Sequence, residues 1–369
     1  MVALDGPCPT RALRLALLHA GGVAADGLRS LLQPVERGFE FSFAFEEVSR
    51  TFMEAGSMGG IEPCREVAVV VSLPDLYAGG GGRARALYRA LLEAGFPPSA
   101  EYASSLPRRA KRYKALVVGC ESLSEGAARA IAQAVWSGAT VFIFGFSGVK
   151  DGLGMIREGW AFDGFLPVQR AGWAVVRRVE LIPTGAGREL GLPALKLEEL
   201  FPEPPVNKGR GGDPPAPLRL EVFRPLPGAG RAKVLAVLPG GRPAIQEIEV
   251  GRGKVVLFGL YGPICLLDLD KWRPLLSALF SSLLPRPRLE VIKPKGALDL
   301  ALRPIGKGRY ILQILNLGPA PLLEAMVGLP FPAEVIEAKG TNARSEGRRI
   351  TLENLGIYAK LVLSVKGPS

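Results

Sequence analysis

The chain has 369 residues, 48% of them hydrophobic and 22% charged, which excludes a disordered polymer and leaves room for two or three domains. Its formal charge of +11 raises a nucleic-acid partner, but the densest basic run (Arg108, Arg109, Lys111, Arg112, Lys114) has only Tyr113 among it and precedes an apolar strand, so a solvated loop is the expected role. A single histidine, His19, removes triads, zinc hydrolases and most general-base schemes.

No apolar run reaches about 18 residues, so no membrane-spanning helix is expected. Arg11 to Ala25 has some likeness to a signal peptide, but Arg14 and His19 interrupt its apolar stretch, and an amphipathic helix is the better reading. Cys8, Cys64, Cys120 and Cys265 lie far apart with no CxxC, which points to free thiols, a cytoplasmic location and no metal. No cofactor is expected.

Residues 1–65 read as a helical N-terminal segment. Leu13, Leu17 and Leu18 share one face of a helix from Arg11 to Leu32. Phe41 to Phe45 has strand character, Glu46 to Ala55 reads as helical, and Gly56 to Pro63 as a linker. The segment is too short for an eight-stranded barrel of about 250 residues.

From Glu66 an α/β rhythm begins. Val67 to Ser72 is a continuous apolar run, as a parallel strand covered on both faces should be. A glycine loop over Gly79 to Gly82 leads into a helix bearing Ala84, Leu87, Tyr88, Leu91 and Leu92. Ala115 to Gly119 is the next strand. Ser122 and Glu125 make a capping-box pattern, and Ala128, Ile131, Ala132 and Val135 line the helix that follows. Gly138 ends it, and Thr140 to Phe144 is another buried strand. This alternation predicts a doubly wound, mostly parallel sheet over residues 66–287.

Trp173 to Ile182 and Leu218 to Phe223 read as further strands. Between them, 201–217 holds six prolines and three glycines and is an excursion from the core. Lys233 to Leu238, Ala244 to Val250 and Lys254 to Leu260 are strands, with Gly251-Arg252-Gly253 turning between the last two. Asp270 is positioned to cap a helix carrying Trp272, Leu275, Leu276, Leu279, Phe280 and Leu283. Residues 288–369 change character: short alternating strands separated by Gly, Pro and Asn predict a small β-sandwich.

Two side chains could carry chemistry. Thr140 to Phe144 runs into Gly145-Phe146-Ser147-Gly148, close to the elbow that lifts a nucleophile to the tip of a sheet. Ser147 stands where such a nucleophile would be, but the second glycine is displaced and no histidine follows His19, so a structural turn is the simpler reading. Cys120 ends a strand before a capped helix, where a thiolate gains support, and Glu121 adjoins it; an inert buried thiol is the alternative. An amidotransferase-like or other hydrolase using Cys120 or Ser147 is therefore the second functional hypothesis. Gly79 to Gly82 lacks the third glycine and the lysine of phosphate loops. The carboxylate pairs Glu46 with Glu47 and Asp268 with Asp270 are explained by solvation and capping. Trp160, Phe162 and Trp173 could offer stacking faces to a sugar, though such aromatics usually fill a core.

Four stretches resemble the family 42 β-galactosidases. They are Glu66 to Ser72, Tyr113 to Val118 with Leu123-Ser124, Ser137 to Val141 continuing to Ser147-Gly148-Val149-Lys150-Asp151, and Gly241 to Val256; Ile311 to Leu317, ending near Asn316, adds a fifth. The resemblance covers about residues 66–365. It implies a glutamine amidotransferase-like trimerisation domain followed by a small β domain, without the barrel that bears the family's catalytic carboxylates. None of those catalytic residues has a counterpart here, and Gln313 stands where a histidine often precedes the asparagine. The implied role is a non-catalytic module for self-association, or for joining a carbohydrate-active enzyme, with a homo-oligomer expected and neither a membrane nor a nucleic acid as partner.

Overall fold

A computed structural model describes residues 65–78, 81–175, 180–196, 219–261, 269–284, 289–317, 320–356 and 358–365. The expectations for residues 1–64, with His19, Cys8 and Cys64, and for the excursion at 201–217 lie outside them, as do Gly79, Gly80, Cys265 and Asp268. The chain divides into two units, an α/β unit over Glu66–Ala94 and Pro98–Pro287 and a second that contains Arg65, Gly95–Pro97 and the chain from Arg288 onward.

The strands of the α/β unit are β1 (Val67–Val71), β2 (Ser99–Tyr102), β3 (Ala115–Val118), β4 (Thr140–Phe144), β5 (Val168–Val175), β6 (Glu180–Pro183), β7 (Leu195–Lys196), β8 (Arg219–Pro225), β9 (Ala232–Leu238), β10 (Arg242–Val250), β11 (Gly253–Phe258) and β12 (Leu260–Tyr261). Its principal helices are α1 (Leu73–Tyr77), α2 (Gly81–Glu93), α3 (Glu125–Trp136) and α4 (Leu269–Leu283). Nine strands form one sheet in the order β2-β1-β3-β4-β11-β10-β9-β6-β7. The first five run parallel, and every later pairing is antiparallel. The sheet is thus mixed, where the sequence rhythm predicts a mostly parallel one. The reason is local: a two-residue turn at Gly251-Arg252 leaves no room for a crossover helix, so β10 and β11 must run antiparallel. Strands β12, β8 and β5 make a separate three-stranded sheet. The single strand expected from Trp173 to Ile182 is divided: β5 ends at Val175 and belongs to that small sheet, and β6 belongs to the large one.

Period-two alternation decides which helix each strand meets. Val141, Ile143, Val255 and Leu257 point into one apolar cluster with Ala127, Ala128, Ile131 and Val135 of α3. On the same strands Phe142 and Phe258 point the other way and meet α4, Phe142 edge-on to Phe280 at 5.2 Å and Phe258 edge-on to Trp272 at 5.9 Å. The parallel strands are therefore covered on both faces, which is why they read as unbroken apolar runs.

Two caps differ from expectation. The N-cap of α3 is Ser124, whose Oγ accepts from Ala127 N at 3.2 Å, while Ser122 turns away to the Asp75 carboxylate. Asp270 is the second residue of α4 rather than its cap. Much of the basic run is absorbed locally: Lys114 pairs with Glu66 at 2.7 Å, Arg109 with Glu101 at 3.6 Å, and the Arg112 guanidinium lies over the Tyr113 ring.

The second unit holds β13 (Glu290–Lys293), β14 (Leu298–Gly306), β15 (Arg309–Asn316), β16 (Leu322–Gly328), β17 (Ala333–Lys339), β18 (Asn342–Glu346), β19 (Arg349–Leu355) and β20 (Tyr358–Val365). They form two antiparallel sheets, β13-β16-β19-β18 and β14-β15-β20-β17. Val291, Val327 and Leu352 from the first share one core with Leu300, Leu312 and Leu361 from the second, as in a sandwich.

Candidate functional site

The turn that follows β4 is the place to look for chemistry, since open α/β sheets bind ligands beyond the carboxyl ends of their parallel strands. Two residues there have left-handed backbone: one is Gly148 (φ 71°), and the other is Phe146 (φ 62°) rather than Ser147. For a bulky side chain this conformation costs about 1–2 kcal/mol, so the surroundings must hold it. They do so from three sides. Phe146 N donates to the buried Glu221 carboxylate at 2.6 Å. Arg170 donates to the other oxygen of Glu221, and its guanidinium lies over the Phe146 ring, 5.4 Å from the centroid. Arg83 of α2 donates to the carbonyl of Gly145. Gly145 itself must lack a side chain, because a Cβ would sit 2.7 Å from the carbonyl oxygen of Gly259.

The remaining amides of the turn are also engaged. Gly145 N donates to Phe258 O at 2.7 Å, Ser147 N to Phe144 O at 3.1 Å and Gly148 N to Cys120 O at 3.1 Å. A catalytic elbow needs backbone N–H groups aimed at empty space where an oxyanion will form. From Gly145 to Gly148 each N–H is bonded within the protein, and the carboxylate of Glu221 occupies the position at Phe146.

Ser147 is fully buried, and its hydroxyl lies 2.5 Å from Phe144 O and 3.1 Å from Val118 O, so its proton is spent on backbone. Its own carbonyl accepts from the Trp160 indole at 2.8 Å. Cys120 is buried at the end of β3, and burial, with the charge of Asp75 adding to it, pushes the thiol well above its ordinary value against the opposing pull of Arg83. A thiol so placed is a poor nucleophile. Cys120 is accordingly expected to resist iodoacetamide in the native protein and to react only after denaturation; peptide mass mapping of labelled Cys120 measures this, and rapid native labelling would contradict it.

Trp160 and Phe162 are interior, stacked edge-on at 5.0 Å, whereas Trp173 on β5 is half exposed. A depression of about 400 Å³ is lined by Glu158, Trp160, Asp163, Gln169, Arg170 and Leu226. Asp163 already accepts from Trp160 N at 2.7 Å, and Arg170 is held by Glu221. Phe162 and Trp173 do not line it, so the three aromatics do not converge. Gln313 is also built in: its Oε1 accepts from Arg303 at 3.1 Å, and its Nε2 donates to the Tyr358 hydroxyl at 3.0 Å. Among the described residues no group of three or more His, Cys, Asp or Glu side chains is placed to hold a metal ion. Nor is any helix among them long and apolar enough to cross a membrane.

Glu221, Arg170 and Phe146 are the residues that sequence reasoning passed over. The available signal was a lone carboxylate in the apolar strand Leu218 to Phe223, where burial demands a partner.

Fold and turn together describe a mixed α/β protein with a large, partly parallel sheet and smaller antiparallel sheets. Solved structures with this arrangement include Gan42B, a GH42 β-galactosidase from G. stearothermophilus, with a TM-score of 0.55, 15% identity and coverage of 88% of this chain and 44% of that one. The β-galactosidase from Rahnella sp. R3 matches at a TM-score of 0.55 and 17% identity over 87% of this chain and 44% of its own. The α-L-fucosidase isoenzyme 2 from Paenibacillus thiaminolyticus matches at 0.55 and 14%, over 88% and 53%. At these identities the likeness is one of fold, and the chain spans less than half the length of the β-galactosidases it matches. No protein-family model matches the sequence, and no curated protein does.

Proposed function

We propose that the chain is a non-catalytic module for self-association, equivalent to the trimerisation domain and adjoining β domain of a GH42 β-galactosidase. The observation that carries this reading is the closed hydrogen bonding of Gly145 to Gly148: the turn that an amidotransferase-like fold would use for chemistry has a phenylalanine at a left-handed position and a carboxylate on the Phe146 amide. Ser147 and Cys120 are sealed beneath it. The fold match to GH42 enzymes over part of their length adds support, since a segment of such an enzyme can keep its architecture and lose its chemistry. The partner on this reading is another copy of the chain. Sedimentation velocity across micromolar concentrations is expected to show a species of two or more chains; a single-chain species throughout would overturn the proposal.

A further inference from the structure

The depression at the start of β5 is walled by two segments of opposite charge. The turn from Glu158 to Gly164 brings the carboxylates of Glu158 and Asp163, and β5 brings Arg170, while Trp160, Val168 and Leu226 supply apolar surface. Other cations in the neighbourhood are directed elsewhere. Arg157 donates to the carbonyls of Leu123 at 2.7 Å and Lys150 at 3.3 Å, and Arg129 pairs with Glu125 at 2.8 Å. Arg224 of β8 stands opposite Gln169 in the register, on the other face of the strand pair from Arg170.

The charged groups at the walls keep bonding capacity. Arg170 gives its Nε to Glu221 and lays its guanidinium over the Phe146 ring, and among the described residues no acceptor takes its terminal nitrogens. Asp163 receives Trp160 N on Oδ2 at 2.7 Å, which leaves Oδ1, and the Glu158 carboxylate has no hydrogen bond or ion pair among the described residues. The Glu221 side chain is 1% exposed. A buried carboxylate paired with arginine adds little stability over apolar side chains of the same shape. Glu221 is better explained by what it positions, a guanidinium fixed at the wall of a depression. Arg170 and Asp163, held in this way, lose little entropy when a ligand arrives.

A ligand that answers all of these groups has a carboxylate for the terminal nitrogens of Arg170, an ammonium for Asp163 and Glu158, and a short apolar body for Trp160, Val168 and Leu226. A neutral polyol meets the same groups with weaker bonds, since charge-assisted hydrogen bonds are roughly twice as strong as neutral ones. The volume of about 400 Å³ lies near the lower end of the range for small-molecule pockets, about 300–1,000 Å³, and suits one small molecule. We infer that this depression binds the zwitterion of a small apolar α-amino acid, its carboxylate on Arg170 and its ammonium on Asp163 and Glu158. This binding goes beyond self-association and does not depend on it.

Isothermal titration of the full chain with L-leucine and with L-phenylalanine is expected to give saturable binding, one molecule per chain, for at least one of them. The amine that lacks its carboxylate and the acid that lacks its ammonium are each expected to bind at least tenfold more weakly. The double variant Glu158→Gln with Asp163→Asn, which keeps an oxygen for Trp160 N, is expected to lose the preference for the amino acid over the acid without shifting the melting transition. Absence of binding by both amino acids at millimolar concentration, equal affinity for the amino acid and its two analogues, or a double variant that keeps the preference would overturn the inference. D-galactose binding that the double variant weakens would place a neutral sugar in the depression and refute it. Each of these outcomes leaves the oligomeric state untouched, so failure here is distinct from failure of self-association.

Discussion

Gly253→Ala is expected to cost about 3 kcal/mol or more and to lower the melting midpoint by roughly 6–12 °C. A Cβ at this position would lie 2.3 Å from the carbonyl oxygens of both Ala139 and Val135. Neither oxygen can withdraw cheaply. Ala139 O accepts from Lys254 N at 3.2 Å, which starts the pairing of β11 with β4, and Val135 O accepts from Gly138 N at 2.9 Å, which closes α3. Relief of the clash must therefore loosen the helix end or the first rung of the central parallel pair. Gly185→Ala is the control, since nothing lies within 4 Å of a Cβ there and its backbone is not left-handed. Differential scanning calorimetry of the two variants checks the contrast; equal midpoints would show that the backbone at Gly253 yields more readily than the geometry allows.

Glu221→Ala is expected to destabilise the fold by about 3–5 kcal/mol, because it strands a buried amide and leaves Arg170 without its carboxylate. Arg170 is part exposed and recovers some hydration, which places the cost at the lower end of that range. Glu221→Gln keeps an oxygen for Phe146 N and removes the buried charge, so it should cost far less. The two variants also differ in pH response. Burial is the largest influence on Glu221 and raises its carboxyl above the ordinary value, with Arg170 opposing. As pH falls, the folded chain then takes up this proton before the unfolded chain does. The native protein gains stability from this group through that window, the gain is complete below the unfolded carboxyl value, and it is lost as pH rises through the folded value. Urea titrations at pH 7 and pH 4 are expected to show this component in the parent and not in Glu221→Gln. An unchanged pH dependence in that variant would mean that the carboxyl titrates alike in both states.

Local pattern exposed the α/β half of this architecture well before any coordinates. The apolar runs at Val67 to Val71 and Thr140 to Phe144, the helix face around Ile131 and the turn at Gly251 each follow from the period of their own neighbours. What escaped is non-local. Glu221 meets Phe146 across 75 positions, and no periodicity reports such a pairing. The left-handed residue at Phe146 was missed for a related reason: sequence favours glycine or asparagine for that backbone, and a phenylalanine is held there only by tertiary partners. The antiparallel half of the sheet is legible at the two-residue turn Gly251-Arg252, which sets β10 against β11, whereas β6 pairs with β9 and β7 across segments that no tight turn spans. The exposed side chains of Leu153, Met155 and Ile156 carry no sign of exposure in the sequence, since only the hydrogen bonds that the Asp151 carboxylate accepts from Leu153 N and Met155 N turn them outward.

The mixed sheet also has a consequence for the order in which this chain can assemble. β9, β10 and β11 are joined by short turns and meet through contacts close in sequence, whereas β4 and β11 pair Thr140 with Lys254, more than a hundred positions apart. Closing so long a loop costs chain entropy before any contact repays it. Chain entropy thus favours closing the local pairings of the meander, and those of β1, β3 and β4, ahead of that seam. The seam between β4 and β11 is the step that unites them, and until it closes the edges of both halves stay open to pairing with the wrong strand, including one from a neighbouring chain.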